Sequence, residues 1–192
     1  MIESLFASPI YFNKVNNFVD IQTEITKCID NMEFSMKDEW GKTHFVSDDS
    51  FSENFIGKYN LNNFSNELRI HLTEYCSAID FNMRDYKIRS SWLSLFNKGN
   101  YGQIHSHGTV DMAGVYYYKT NQEDGDIFFE SSNLNLESSL CYYKLAERWK
   151  HKPIEGKILL FPGWMKHGIM TNTTEDSRIS LSFNIQFTRD GR

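Results

Sequence analysis

The sequence predicts a mainly β (α+β) chain, an antiparallel β-sandwich with helical buttresses near its start. Three observations carry this. Two segments between residues 17 and 79 space their apolar side chains by three and four. From residue 86 the pattern turns to alternation and short apolar runs broken by Gly and Asn. Aromatic residues reach 15% and there are only three prolines, a composition that suits a strand-rich body.

Each element follows from its pattern. Leu5–Phe12, with Pro9 inside it, reads as an edge strand. Phe18, Ile21, Ile25, Cys28, Ile29 and Met32 make one face of a helix over 17–32. Residues 33–58 are polar with scattered aromatics and read as loop with short extended pieces. Phe64, Leu68, Leu72, Tyr75, Cys76 and Ile79 make a second helix over 61–79, with Asn63 or Ser65 as its cap. Lys87–Asn97 is a long strand and Lys98–Gly102 a turn. Gln103–His107 and Asp111–Lys119 are extended. Asp124-Gly125 precedes Asp126–Glu130 and signals a hairpin. Residues 131–152 are rich in Ser and Asn and hold a short helix over Glu137–Trp149. Lys157–Phe161 is a buried strand, and Arg178–Phe187 alternates most clearly of all. The helices are expected on the outside of one sheet.

With 192 residues and no Gly-, Ser- or Pro-rich linker, a single domain over 1–192 is expected. Residues 1–85 form its helical and extended buttress and 86–190 its β-core. A net charge of -5 gives no basic footprint and argues against nucleic acid as a partner. Cys28, Cys76 and Cys141 form no C-x-x-C pair, and no apolar run approaches the ~18 residues of a membrane span. No basic and then apolar leader opens the chain. A cytoplasmic protein without a membrane partner is expected, and its oligomeric state is not legible.

The chemistry-bearing residues cluster in the second half. His105 and His107 are one residue apart on an extended stretch, so both rings fall on one face. His167 follows the buried run Leu159-Leu-Phe and the turn Pro162-Gly-Trp-Met-Lys. Three such ligands on one side of a metal leave open positions. Asp111, four residues after His107, shares that face if the strand is unbroken. The spacing leaves open whether His105 or Asp111 completes the set, and which metal it takes. On the last strand Arg178, Ser180, Ser182, Asn184 and Gln186 share a face. Alternation alone reads this as a half-buried strand with its polar side in water, whereas small neutral hydrogen-bonding groups around one arginine suit the inside of a barrel that binds an acid. His44, His71 and His151 read as structural or exposed. There is no G-x-S-x-G elbow, no phosphate-binding glycine motif and no distinctive carboxylate pair.

Three ordered blocks resemble the 2-oxoglutarate/Fe(II)-dependent oxygenases, and within them the small oxygenases of bacteria and their phages. They are Gly99–Tyr118 with its His-Ser-His, Gly156–His167, and Arg178–Asn184, and the similarity spans about residues 88–187. The resemblance implies a double-stranded β-helix, a jelly-roll variant. It implies a dioxygenase (hydroxylase) using Fe(II), 2-oxoglutarate and O2, releasing succinate and CO2, and acting on a peptide, amino acid or small metabolite. Iron would be held by His105, His107 and His167, with Asp111 as the alternate. His107 stands where the wider superfamily carries Asp or Glu. Arg178, helped by Ser180, would anchor the distal carboxylate of 2-oxoglutarate, with Asn97 and Tyr116 or Tyr118 lining its pocket. Because of His107, a cupin-like metal-binding jelly roll, as binding module or isomerase without oxygenase activity, is the alternative. The segments 131–152 and 40–58 are candidate lids, with Tyr142, Tyr143 and Trp149 as candidate substrate contacts.

Overall fold

The computed structural model describes residues 7–30, 32–48, 54–133, 138, 140–141 and 143–188. Its elements are β1 (Tyr11–Lys14), α1 (Phe18–Ile29), β2 (Phe34–Met36), β3 (Phe45–Ser47), α2 (Phe55–Lys58) and α3 (Asn62–Ala78). They continue with β4 (Tyr86–Phe96), β5 (Gly102–His105), β6 (Met112–Lys119), β7 (Ile127–Phe129), β8 (Trp149–His151), β9 (Lys157–Pro162), β10 (His167–Ile169) and β11 (Arg178–Phe187). Seven strands form one sheet in the order β1-β9-β6-β11-β4-β3-β2, and four form a second in the order β5-β10-β7-β8. All named strand pairs are antiparallel. The two sheets face each other as a jelly roll of the double-stranded β-helix type.

Period-two alternation divides the large sheet into two faces. Outward-facing Met112 and Tyr116 of β6, Ile158 and Leu160 of β9, and Leu181, Phe183 and Ile185 of β11 pack under the helices. The helices supply Ile21 and Ile25 from α1 and Phe64, Leu68, Leu72, Tyr75 and Cys76 from α3, all buried. Inward-facing Ala113, Val115, Tyr117, Leu159 and Phe161 meet Ile127 and Phe129 of the small sheet. The start of α3 is not capped by Asn63 or Ser65. Glu24 of α1 does it, its carboxylate accepting from the backbone N–H of Asn63 at 2.8 Å and of Phe64 at 3.2 Å. One acidic side chain thus fixes the angle between the two buttresses. Buried His71 of α3 lies 2.7 Å from the Tyr11 hydroxyl and ties β1 to the same helix.

Two expectations change. Asp124-Gly125 does not close a hairpin, because β6 belongs to the large sheet and β7 to the small one. The Asp124 carboxylate accepts from the Thr120 hydroxyl and the Asn121 N–H, and so shapes a crossover between sheets. Gly125 follows at φ +104, where an added Cβ would lie 2.2 Å from the Met170 carbonyl oxygen. The helix expected over Glu137–Trp149 shrinks to a 3-10 turn at Tyr143–Ala146, followed by β8. Part of that stretch, with Tyr142, lies outside the described residues, as does the beginning of the first expected strand. No helix among the described residues is long and apolar enough to cross a membrane.

Gly125→Ala and Gly99→Ala separate backbone conformation from close approach. Gly99 also has a positive φ, +85, but open space around it. Gly99→Ala should cost about 1–2 kcal/mol of unfolding free energy, and Gly125→Ala clearly more. Urea denaturation of both variants checks this; equal losses would refute the close approach.

Candidate metal centre and carboxylate pocket

The small sheet builds the histidine cluster. His105 ends β5 and pairs directly with His167, which begins β10. His107 lies just past β5, and its N–H donates to the Gly163 carbonyl at 2.8 Å. A side chain at 163 is not tolerated, since a Cβ would sit 2.3 Å from the Val110 oxygen. One ring nitrogen from each of the three lies within 4.8 Å of the others. Three imidazole nitrogens this close are a donor set that could hold one ion. His105 is exposed, His107 half-buried and His167 buried, so the cluster opens to solvent on one side.

Backbone carbonyls orient two of the rings. His167 Nδ1 lies 2.9 Å from the Met165 oxygen and His105 Nδ1 lies 2.8 Å from the Gln103 oxygen. A carbonyl only accepts, so each Nδ1 carries the proton and each Nε2 presents a lone pair, the arrangement metal-bound histidines use. Burial, with His105 nearby, pushes His107 down to about 4 and His167 to about 3. The bond to Met165 offsets part of the fall in His167. Both rings are therefore neutral near pH 7 and competent as ligands.

Arg178 begins β11 on its inner face and is fully buried. Its guanidinium lies 5.2 Å from the Phe96 ring centre and 5.0 Å from that of Tyr117. One NH2 group donates to the Gly125 carbonyl at 2.7 Å. Nε and the other NH2 have no partner among the described residues, and no carboxylate there forms an ion pair with it. Burial holds its pKa below the ordinary arginine value, with Tyr117 and then Asp124 and Asp126 opposing; a guanidinium nevertheless stays charged. A cavity of about 380 Å³ joins Arg178 to His105, His107 and His167. That is the scale of small-molecule sites. Three imidazoles suit a divalent cation, and a buried cation with spare donors suits a carboxylate.

The other expected site residues separate. Ser180 lies beyond Arg178 on the same face, buried, with its hydroxyl unpartnered among the described residues. Asp111 is not in the cluster: its carboxylate accepts from the Gln186 side chain and from the Phe187 N–H, latching the end of β11. Asn97 accepts from the Ser177 hydroxyl at 2.7 Å in the turn after β4, and is not among the cavity-lining residues. Tyr116 and Tyr118 point to the helices, Tyr116 against Phe64 and Tyr118 to the Thr26 hydroxyl. Tyr117, between them, faces inward, and burial raises it to about 12. Strand parity was the available signal, and it favours the middle tyrosine.

His44, read as structural or exposed, is buried in the cavity wall and stacks on Phe96 with ring centres 4.5 Å apart. Burial, then His105 and Arg178, lower it to about 4. It arrives on the β2–β3 hairpin with Glu39 and Trp40, so the 40–58 segment does reach the site at its start. Neither Tyr143 nor Trp149 is among the cavity-lining residues; Trp149 stacks on His151 and is separated from His167 by Phe129 of β7.

An inward guanidinium and three convergent imidazoles inside a double-stranded β-helix are the arrangement that the resemblance implied. Residues 90–184 match the family described as "Putative 2OG-Fe(II) oxygenase", the family that the three sequence blocks resemble. No curated protein matches significantly. Among solved structures, a Pseudomonas putida prolyl-4-hydroxylase is 12% identical over 97% of this chain and 96% of its own, with a TM-score of 0.58. The non-heme alpha ketoglutarate dependent carbocyclase SnoK from nogalamycin biosynthesis is 10% identical over 93% and 79%, with a TM-score of 0.65. HygX from Streptomyces hygroscopicus, solved with nickel and 2-oxoglutarate bound, is 10% identical over 93% and 83%, with a TM-score of 0.60. At these identities the likeness is one of fold.

The depressed histidines give a pH test. Between the ordinary 6.5 and about 4 the unfolded chain binds protons that buried His44 and half-buried His107 refuse, and His167 extends the window to about 3. Stability of the metal-free protein is therefore full above 6.5 and falls as pH drops through that window. The urea midpoint should decline from about pH 7 to about pH 5, and His44→Phe should flatten the slope. A level midpoint would show that these rings are not held neutral.

Proposed function

We propose that the chain is a 2-oxoglutarate- and Fe(II)-dependent oxygenase that hydroxylates a peptide, amino acid or small metabolite. The observation that carries this is the buried guanidinium with free donors sharing one cavity with three imidazoles. An isolated buried charge costs several kcal/mol. A carboxylate offset by two parallel N–H donors recovers that cost and fixes one end of an acid. HygX, with the same fold, holds a divalent ion and 2-oxoglutarate, which supports the pairing.

In this reading His105, His107 and His167 hold the metal, and Arg178 takes the distal carboxylate of 2-oxoglutarate with Ser180 beside it. Bound there, the iron supplies the oxidative decarboxylation of 2-oxoglutarate to succinate and CO2, coupled to hydroxylation of the substrate. Arg178 orients the acid so that its keto end faces the histidines in one pose. Phe96 and Tyr117 keep water from the guanidinium and strengthen the contact. The Met165 and Gln103 carbonyls keep His167 and His105 in the ligating tautomer. With His107 in place of an acid, the ligand set adds no negative charge, so the dianionic cosubstrate balances more of the cation's charge. The cupin-like alternative rests on His107 alone and leaves the orphaned donors of Arg178 without a purpose.

Anaerobic Fe(II) with 2-oxoglutarate should give a weak visible charge-transfer band, and with O2 the protein should release succinate slowly. His167→Ala should abolish both. Arg178→Lys, which loses the planar fork, should weaken 2-oxoglutarate binding at least about tenfold while sparing the metal. Calorimetry showing no 2-oxoglutarate binding in the metal-loaded protein would refute the reading.

A further inference from the structure

We propose that Trp92 and Asn184 form a substrate subsite for a planar amide, a carboxamide or a peptide unit; this rests on the oxygenase reading for what fills the Arg178 end. The cavity floor is the inner face of β4 and β11. There Phe96 pairs with Arg178, Ser94 with Ser180, Trp92 with Ser182 and Ser90 with Asn184. Six residues of strand separate Arg178 from Asn184, about 20 Å of floor. A five-carbon diacid is shorter than three residues of strand, about 10 Å. The half of the floor beyond the histidines therefore needs another occupant.

That half is polar, with Ser90 and Ser182 half-buried and Trp92 and Asn184 buried. Ser90, Trp92, Ser182 and Asn184 line it, with Trp92 5% and Asn184 9% exposed. The Asn184 side-chain NH2 donates to the Ser90 hydroxyl at 3.0 Å, which turns its Oδ1 the other way. That Oδ1 and the Trp92 indole Nε1 have no partner among the described residues. Each unpaired buried group costs about 1–3 kcal/mol. Trp92 also touches both neighbours that matter. Its ring centre lies 6.3 Å from that of His107, and the edge of Trp40 from the β2–β3 hairpin meets it at 5.2 Å. The subsite thus adjoins the histidine cluster and has a roof.

One donor and one acceptor at diagonal strand positions, about 7–8 Å apart, ask for a ligand with a matching acceptor and donor side by side. An amide offers C=O and N–H in one plane. A carboxylate offers only acceptors, so it would leave Asn184 Oδ1 unpaired and would meet Glu39 of the lining with like charge. An ammonium offers only donors. A single hydroxyl presents both from one atom and does not span two positions.

The test uses 15N-labelled metal-free protein and two probes of one shape, N-methylacetamide and methyl acetate. The indole N–H signal of Trp92, assigned with Trp92→Phe, is followed by NMR. N-methylacetamide should move it downfield and saturably. Methyl acetate, which lacks the N–H, should bind about tenfold more weakly. Asn184→Leu should erase that preference and Asn184→Asp should keep it; the wild-type comparison stands even if a variant fails to fold. An unmoved Trp92 signal, or equal binding of the ester, overturns the proposal. Adding 2-oxoglutarate with Zn(II) separates the two readings. If 2-oxoglutarate displaces N-methylacetamide, the subsite is not distinct and the proposal falls. If N-methylacetamide binds and 2-oxoglutarate does not, the oxygenase reading falls while the amide subsite stands.

Discussion

Among the described residues Arg178 is fully buried and forms no ion pair with an acid, and much of the second half of the chain is arranged around that fact. Arg178 is tolerated because the Gly125 carbonyl takes one of its donors and two aromatic rings cover its faces. The carbonyl is presented only because the crossover after β6 is shaped by the Asp124 carboxylate. The loop before β11 is fixed by buried Asn172, whose side-chain NH2 donates to Phe96 and Asp176 and whose oxygen accepts from Thr174. These contacts leave two guanidinium nitrogens without a partner among the described residues, and a buried cation with spare N–H groups is the chemistry that suits an anion.

The histidines come from the other sheet. β5 and β10 bring His105 and His167 face to face, and a backbone bond to Gly163 holds His107 beside them. The histidine cluster and Arg178 share one cavity because the two sheets close on each other. The helices contribute from behind: by filling the outer face of β6, β9 and β11 with apolar side chains they force the polar face of β11 inward.

The class of fold and both long helices were legible because their periodicities are long and clean. So was the histidine cluster, because alternation, a buried strand and a tight turn are local properties. What failed was whatever depended on which strands pair. Asp124-Gly125 carries hairpin chemistry, yet its neighbours enter different sheets. Asp111 has the right spacing from His107, but the chain leaves β5 before reaching it and the carboxylate is captured by β11. Tyr116 and Tyr118 were favoured over Tyr117, although the parity of β6 already decided the matter once its buried face was known. His44 and Trp92 carry no local mark at all. Their role arises from a hairpin folded over a strand far along the chain.

That hairpin has a position of its own. β2 is the last strand of the large sheet, and β3 joins β4 through only two registered pairs, Phe45 with Leu95 and Val46 with Ser94. Trp40, His44 and Glu39 therefore hang from the margin of the barrel, whereas His167 and Arg178 lie on strands paired on both sides and a backbone bond to Gly163 holds His107. Evolution can exchange such a flap wholesale, altering which guests are admitted, without retuning the reactive heart beneath it.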